Sequence, residues 1–467
     1  MNKNSASYTT GSIRSTMLKT TLAMLAGTLA MSGYNLADTY FVGRLKGIEP
    51  LAAMGFTLPV VMLAGCVFRG MAIGVMTPMA HALGAQKLPK AAKIVTYGLI
   101  MTGIISLLIS VLGLVSCEYL LRGFGANGAT LQMAKDYMSI WYIGCFTASL
   151  SMCGNDILIA SGDNKVASMM MILGMLINVI VDPLFIFGWG IIPAMGIKGA
   201  ALATVISQFL SGLVIWLVVW KRHHLLSFEP IVPPVMLQYW RTMIRFAIPA
   251  SIGMLLMPMG MAVLTRITAN FGDAAVGAVA AVGRLEMVAF VIPMAMGISL
   301  MPMIAQNFGA KKYDRIWECR RFAMRFAMFF LFLMAIVFFI LSDFLAAKFT
   351  QEPEVQQIMI LGLSIIPWGL AGVEVHRFAG FFYTGCNHPN KAAWLNALRI
   401  VVFLIPFSLI AAYYKSLEGL FFARLAADLL AGLVGYILAR NLTLNLQQQD
   451  ATLRLPETPP NSEQIPA

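Results

Sequence analysis

The chain has 467 residues, of which 59% are hydrophobic and 12% are charged, and its mean hydropathy is +0.78. Soluble domains average about 45–50% apolar and about 25% charged residues, so this composition excludes an ordinary soluble enzyme. The net charge of +12 comes without Lys/Arg-rich runs interleaved with aromatic residues, so it indicates basic cytoplasmic loops rather than a nucleic-acid partner.

Apolar stretches long enough to cross a bilayer, which requires about 20 residues in a helix, occur along almost the whole chain. Charged or Gly/Pro-rich segments separate them. They predict twelve transmembrane helices, at residues 16–43, 51–83, 92–118, 136–161, 165–190, 196–220, 242–270, 275–308, 319–342, 357–385, 391–414 and 417–440. The predicted fold class is therefore an all-α integral membrane protein.

The basic residues favour one orientation of these helices. With both termini in the cytoplasm, 20 Lys and Arg residues lie in cytoplasmic segments and seven lie outside. This split follows the positive-inside rule and requires an even number of spans. We therefore expect a multi-pass protein with both termini cytoplasmic.

The two halves of the chain resemble each other. Leu51-Ala-Ala-Met-Gly55 recurs as Val279-Ala-Ala-Val-Gly283, and Ala80-His-Ala-Leu-Gly-Ala-Gln-Lys87 recurs as Ala305-Gln-Asn-Phe-Gly-Ala-Lys-Lys312. Such a repeat predicts two six-helix lobes related by an axis along the membrane normal. The predicted organisation is a cytoplasmic N-terminal segment, an N-lobe, a cytoplasmic linker, a C-lobe and a disordered cytoplasmic tail, at residues 1–15, 16–220, 221–241, 242–440 and 441–467.

Placing a charged side chain at the bilayer centre costs about 2.5–3.5 kcal/mol of insertion free energy. Each ionisable residue within a predicted span therefore indicates a functional or structural role. In the first half, Asp38 follows Tyr34 by four residues and Asp182 follows Asn178 by four, which places each pair on one helix face. With Asn155 and Thr204 from neighbouring spans, these side chains predict an oxygen-rich cluster that is poor in cationic partners. Such a cluster suits a proton or a small hard cation, and we expect at least one of its acids to take up a proton near neutral pH.

The second half carries charges of both signs within its predicted spans. Arg424 and Asp428 are spaced i,i+4 and Glu374 and Arg377 i,i+3, while Arg399 lies on the eleventh span. At these spacings the side chains are neighbours on a helix surface. We predict that this C-lobe charge network mainly neutralises itself.

Three features together resemble the multidrug and toxic compound extrusion (MATE) family, from about residue 14 to residue 440. They are Tyr34-Asn-Leu-Ala-Asp-Thr-Tyr-Phe-Val-Gly43, the repeated Leu-Gly-Ala-Gln-Lys type loop, and Asn178-Val-Ile-Val-Asp-Pro183. Within the family the chain looks like the DinF-like bacterial branch. It lacks the acidic residue that the NorM-like branch has in its seventh helix, where this chain reads Gly253-Met-Leu-Leu-Met-Pro-Met-Gly260.

The resemblance implies export of organic, often cationic, compounds in exchange for H⁺ or Na⁺ by alternating access between the lobes. It implies cation coupling at Asp38, Asn178 and Asp182, with Na⁺ as the alternative ion there, and a pocket extended by Tyr34, Asn155 and Thr204. It further implies a monomer in a bacterial inner membrane, with small organic molecules and the lipid bilayer as partners. No enzymatic activity, resident metal, cofactor or nucleic-acid partner is expected.

Two alternatives remain at the level of sequence. A flippase for lipid-linked or other amphiphilic intermediates would use Arg377, Arg399 and Arg424 to hold a pyrophosphate, but it conflicts with the first-lobe acids and with twelve rather than fourteen spans. An intramembrane aspartyl protease would use Asp38 and Asp182, but its GxGD signature is missing. The nearest match is Ser161-Gly-Asp-Asn164, in a predicted loop.

Overall fold

The computed structural model describes the chain from Tyr8 to Arg454, except for the side chains of Asn35 and of residues 449–454. In the first half, six long helices follow one another with short connections. They are α1 Ile13–Val42, α2 Glu49–Gly84, α3 Leu88–Gly123, α4 Gly128–Ala160, α5 Asn164–Phe187 and α6 Ile197–Lys221. These helices form the N-lobe.

The second half, the C-lobe, repeats this plan with more interruptions. Its helices are α7 Pro233–Thr268, α8 Asp273–Gly309, α9 Tyr313–Ile340, α10 Ser342–Phe349, α11 Pro353–Ile365, α12 Leu370–Gly385, α13 Pro389–Ala397, α14 Ile405–Tyr413 and α15 Leu417–Arg454. A 3-10 turn at Ile366–Gly369 joins α11 to α12, and a π-helical turn at Leu398–Leu404 joins α13 to α14. Counting each joined pair as one span and α10 as a connector, the described chain has the twelve predicted spans.

Both interruptions have a cause in the sequence. Pro367 lies inside the 3-10 turn and Pro406 follows the π-helical turn. Proline has no N–H to donate to the carbonyl one turn earlier, so the regular helical hydrogen bonds cannot continue through these points. Arg399 lies within the π-helical turn, a type of distortion that frequently marks functional positions.

Helix α1 is the least typical of the twelve spans. Each of the other eleven contains an 18-residue window with a mean hydropathy of 1.4 or more, and α1 does not reach that level. The polar stretch from Tyr34 to Asp38 lies in its second half. The helix is therefore polar where the candidate cluster lies.

The ends of the C-lobe differ from the predicted boundaries. The connection predicted at residues 221–241 is non-helical only from Arg222 to Val232, and α7 begins at Pro233. Helix α15 continues to Arg454, past residue 441, where the tail is predicted to start. Leu442 and Leu446 are buried against α9, which explains why the helix continues. The rest of the predicted tail lies outside the described residues.

The α6–α7 connection is attached to the N-lobe. Arg222 and His223 lie 3.1 Å and 3.2 Å from the same carboxylate oxygen of Asp163, in the α4–α5 turn. Burial alone would raise the pKa of Asp163, but the hydrogen bond with His223 and the charge of Arg222 outweigh it and lower the pKa. The first part of the linker is thus held to the N-lobe at this turn.

The lobes meet where the repeated sequence motif ends α2 and α8. A Cβ atom on Gly84 would overlap the backbone of Gln306, and one on Gly309 would overlap the backbone of His81. Gly84 and Gly309 occupy the same position of the repeat, as do His81 and Gln306. The two motifs therefore pack on each other symmetrically, and the glycines permit the close approach.

The N-terminal segment lies across this contact. The side chain of Asn164 donates to the Tyr8 hydroxyl (2.6 Å), and that hydroxyl donates to the Ile159 carbonyl (2.9 Å) in the N-lobe. In the C-lobe, Gln306 accepts from the Tyr8 backbone N–H and Asn307 donates to the Tyr8 carbonyl. We call this side of the molecule, with Tyr8 and the α2–α3, α4–α5 and α8–α9 turns, the terminal face.

Away from the terminal face the lobes separate. Gly70 on α2 still touches Ser251 on α7. Gly55 on α2 and Gly277 on α8 lie on nearly the same helix faces as Gly84 and Gly309, yet a Cβ atom on either would meet no atom within 4 Å. We call the resulting space between the lobes the cleft; it opens toward the face opposite the terminal face.

Candidate functional site

The two N-lobe acids lie on helices that pack closely together. Gly27 and Gly33 on α1 face the side chains of Met171 and Met175 on α5. Because glycine has no side chain, the α1 backbone lies directly against these methionines. This packing buries Asp38, which is 7% exposed on α1.

Asp182 on α5 is fully buried. It accepts a hydrogen bond of 3.1 Å from the side chain of Asn178, one turn earlier on the same helix. The predicted i,i+4 pair therefore exists as a contact. Asp182 also lies close enough to Asp38 for the two charges to interact.

Several oxygens of this cluster lack a hydrogen-bond partner among the described residues. They are Tyr34 Oη, Asp38 Oδ1, Asn178 Oδ1, Asp182 Oδ2 and Thr204 Oγ1, all with almost no solvent exposure. A buried polar atom that stays unpaired costs about 1–3 kcal/mol, and a charged one costs more. The arrangement is thus suited to take up a proton or a small hard cation, for which carboxylate, amide and hydroxyl oxygens are the preferred ligands.

Tyr137 belongs to the same cluster, although the sequence analysis missed it. It lies on α4, is 6% exposed, interacts with the charges of Asp38 and Asp182, and faces Thr204. Tyr34 faces Thr204 as well, with Gln208 beside it. No spacing in the sequence could have indicated Tyr137, because its position depends on how α4 lies against α1 and α5.

Asn155 is placed apart from these residues. It lies five residues before the end of α4 at Ala160, whereas Asn178 lies fourteen residues after the start of α5 at Asn164. At a rise of about 1.5 Å per residue, Asn155 is ~13 Å nearer the terminal face than Asn178. Its Oδ1 is buried without a hydrogen-bond partner among the described residues, but it lies at a different depth from the acid pair.

The described part of the N-lobe also contains an ion pair whose acid is buried. Arg69 Nη1 on α2 donates to Asp156 Oδ1 on α4 over 2.8 Å. Asp156 thereby neutralises Arg69. Within the described part of the chain, no ion pair involves Asp38 or Asp182.

The C-lobe charges are arranged differently, because Glu286, Glu374 and Asp428 each have a cationic partner. Arg399 donates from Nε and Nη2 to Asp428 Oδ1 at 2.9 Å and 2.7 Å. Arg424 donates to Glu286 on α8 and lies 3.9 Å from Asp428. The sequence analysis missed Glu286, because its partner lies on another helix far along the chain.

Glu374 and Arg377 form a separate pair on α12. Arg377 Nη2 donates to Glu374 Oε1 over 2.7 Å, at the predicted i,i+3 spacing. The guanidinium also lies over the ring of Phe290. Arginines thus neutralise Glu286, Glu374 and Asp428 in the C-lobe. Asp38 and Asp182 in the N-lobe have no such partner among the described residues.

Among the described residues, no group of three or more His, Cys, Asp or Glu side chains could hold a metal ion. A cation at the N-lobe cluster would therefore be bound by two carboxylates together with neutral amide and hydroxyl oxygens. Such a set can bind and release an ion reversibly.

Comparisons with known proteins agree with this architecture. A family model described as MatE matches residues 23–184 and 249–410, two segments whose starts are 226 residues apart. That separation lies between the two repeat offsets found in the sequence, 225 and 228 residues.

Related proteins match over nearly the full chain. A protein of Shewanella oneidensis described as an FAD transporter is 31% identical over 431 residues, covering 91% of this chain and 94% of the relative. The multidrug export protein MepA of Staphylococcus aureus is 25% identical over 442 residues, covering 92% and 95%. The crystal structure of the Vibrio cholerae MATE transporter VcmN in the bent form matches with a TM-score of 0.87 and 28% identity, covering 96% and 99%.

Proposed function

The chain belongs to the MATE family of transporters, and on this premise we propose that it exports small organic compounds from the cytoplasm in exchange for H⁺ or Na⁺. The membership confirms the resemblance found in the sequence. It also makes the protein a membrane transporter rather than an enzyme. MATE transporters are driven by ion gradients and need no cofactor.

The observation that carries the proposal is the buried acid pair of the N-lobe. Asp38 and Asp182 have no cationic partner among the described residues, whereas every C-lobe acid discussed above has one. Burial disfavours a charged carboxylate, and a second carboxylate nearby disfavours it further. Uptake of H⁺ or Na⁺ relieves both penalties, so this pair with Asn178 is the proposed coupling site.

Tyr34 and Thr204 are proposed to complete the pocket, and Tyr137 joins them because of its position in the structure. Asn155 is proposed to act closer to the terminal face, where its oxygen can take part in a later step of ion or substrate passage. The C-lobe network is proposed to keep that lobe rigid rather than to bind the coupling ion.

Exchange requires that ion and substrate favour opposite states of the protein. A ligand with equal affinity for two conformations shifts neither population. When the acid pair is neutralised, α1 can repack against α5, and Gly27 and Gly33 allow this helix to bend. We propose that this change weakens substrate binding and that substrate binding in turn expels the ion.

The lobes are proposed to rock against each other, as in other transporters built from parallel repeats. The structure shows contact at the terminal face and a cleft toward the opposite face. The basic-residue split places the terminal face, with both chain ends, in the cytoplasm. This state is then the outward-open state of a monomer in a bacterial inner membrane.

The names of the relatives bear on the substrate. One is described as a multidrug export protein and another as an FAD transporter. Organic drugs and flavin nucleotides are therefore the compounds to test first. None of the relatives described above is named as a lipid flippase, so that alternative is not proposed.

The test is efflux from proteoliposomes that hold the full-length protein, with a pH gradient and a sodium gradient imposed separately. We expect at least one of the two ion gradients to drive transport of ethidium or FAD against the concentration gradient of that compound. The exposed carboxylate variant Asp343→Asn on α10 is a control that should transport normally. Failure of both gradients to move either compound would contradict the proposal.

A further inference from the structure

Each lobe carries a partly exposed arginine whose acidic partner is buried. The side chains of Arg69 and Arg377 are each 32% exposed, while their acidic partners Asp156 and Glu374 are 2% and 0% exposed. Of each ion pair, therefore, only the guanidinium is accessible. The same arrangement recurs on the two walls although the residues are not equivalent in the repeat.

Both arginines lie beside contacts between the lobes. Arg69 bonds Asp156, which lies one turn before Ala160, and the Ala160 carbonyl accepts from Gln306 of the C-lobe. Arg377 precedes Phe381 by one turn, and Phe381 packs against the cores of both lobes. Each arginine thus lies close to the interface between the lobes.

The arginines also lie at similar depths. His81 on α2 contacts the Gly385 carbonyl on α12 over 2.7 Å, which marks where the lobes are closed. Arg69 is twelve residues from His81 along α2, and Arg377 is eight residues from Gly385 along α12. At about 1.5 Å per residue these distances are ~18 Å and ~12 Å, so both groups flank the floor of the cleft.

Each guanidinium keeps donors free for a ligand. Arginine has five N–H donors, and the contact with Asp156 or Glu374 uses one of them. Arg377 Nε is itself buried, so the donors left for a ligand are those of the two Nη atoms. The planar fork of donors fits phosphate and carboxylate oxygens in pairs, and the buried acid holds the fork in place.

We infer that Arg69 and Arg377 form an anion-binding site that selects substrates carrying phosphate or carboxylate groups. The inference rests on the proposed transport function and names its substrate class. A molecule with two such groups, such as a diphosphate, touches both lobes at once. Its affinity then depends on how the lobes are rotated, as exchange requires.

The test compares two flavins that differ in charge. FAD carries a diphosphate and riboflavin is neutral, while both have the same fluorescent ring. Binding is measured with full-length protein in lipid nanodiscs. We expect the wild type to bind FAD at least about tenfold more tightly than riboflavin, since a charged hydrogen bond contributes that much or more.

The variants remove the site without leaving a buried charge. The double variants Arg69→Gln/Asp156→Asn and Arg377→Gln/Glu374→Asn should each lower the ratio of FAD to riboflavin affinity about tenfold. Arg44→Gln is the matched control, because Arg44 is an exposed arginine beyond α1 that stacks on Tyr40 outside the cleft floor. It should leave FAD affinity unchanged.

Equal affinities for the two flavins in the wild type, no measurable FAD binding, or wild-type FAD affinity in both folded double variants would overturn the inference. Gradient-driven transport is measured in parallel on the same preparations. If riboflavin is transported while the flavins bind equally, the anion site is wrong and the proposed function stands. If FAD binding depends on the arginines while no gradient drives transport, the proposed function is wrong and the site stands.

Discussion

Asp38 and Asp182 differ from the other acids in the spans because no cationic side chain among the described residues neutralises them. Their neighbours are two tyrosines, an asparagine and a threonine, which can stabilise either a bound ion or a protonated acid through hydrogen bonds. A single residue change can therefore fix the site in its neutral form.

Asp38→Asn and Asp182→Asn should each fold normally and lose coupled efflux. Asparagine has the shape of a neutral aspartic acid, so each change imitates the ion-loaded state without adding bulk. The measurement is ethidium or FAD efflux from cells with protein levels matched by immunoblotting. Parental efflux by well-expressed Asp38→Asn would show that the coupling site lies elsewhere.

Asp428→Asn should act on stability rather than on coupling. It leaves the Arg399 guanidinium without its buried counter-charge, and breaking a buried ion pair costs about 3–5 kcal/mol. A lower midpoint of thermal unfolding in detergent should reveal this loss. Glu418→Gln, an exposed acid on the same helix, is the control that should unfold as the wild type does.

The sequence predicted most of the cluster, because i,i+4 spacing places Tyr34 with Asp38 and Asn178 with Asp182 before any tertiary structure is known. It could not predict Tyr137 or Glu286. Both act across helices, and their contacts depend on rotations of α4 and α8 that no local pattern encodes. Asn155 is the opposite case. Its residue type led to its inclusion in the predicted cluster, but its position on α4 places it nearer the terminal face than Asn178.

At the scale of helices, the crossing of α2 and α8 holds the lobes in this state. Gly84 packs on the backbone of Gln306, where no flexible side chain can move aside. The repeated motif is thus explained by the contact it makes. Any side chain at this position forces the two helix ends apart.

Gly84→Ala should destabilise the protein by about 1–3 kcal/mol, as overpacked cores do. It should also lower transport, because the terminal face can no longer close. Thermal unfolding and efflux are measured together. Gly55→Ala on the same helix is the control, since a Cβ at Gly55 meets no atom within 4 Å; equal behaviour of the two variants would refute the role of the crossing.

Element boundaries were harder to predict than element number. Apolar stretches indicated all twelve spans, but several helices extend beyond the predicted spans because their polar end turns contribute no hydropathy signal. Helix α15 was the largest case, since the i,i+4 pair Leu442 and Leu446 lies within a polar stretch. The breaks before α12 and α14 follow from Pro367 and Pro406, which the hydropathy pattern does not register.

For the whole molecule, rocking of the lobes requires the contacts at the terminal face to open during each transport cycle. Ser299 of α8 donates to the Asn164 side chain of α5 over 3.1 Å, so these positions join the lobes. A disulfide between Asn164→Cys and Ser299→Cys, in a background without the native cysteines, should stop transport, and reduction should restore it. The single-cysteine variants under the same oxidant are controls, and full transport by crosslinked protein would argue against rocking lobes.

The central claim is that ion and substrate binding are coupled through Asp38, and linkage makes that coupling reciprocal. The most direct measurement is the affinity of purified full-length protein for a substrate that the wild type extrudes, across a range of pH at fixed sodium and across sodium at fixed pH. Coupling through Asp38 predicts that one of the two ions changes the wild-type substrate affinity by about fivefold or more, and that Asp38→Asn abolishes this dependence. A wild-type affinity that is independent of both ions, or an Asp38→Asn variant that keeps the full dependence, would exclude this coupling.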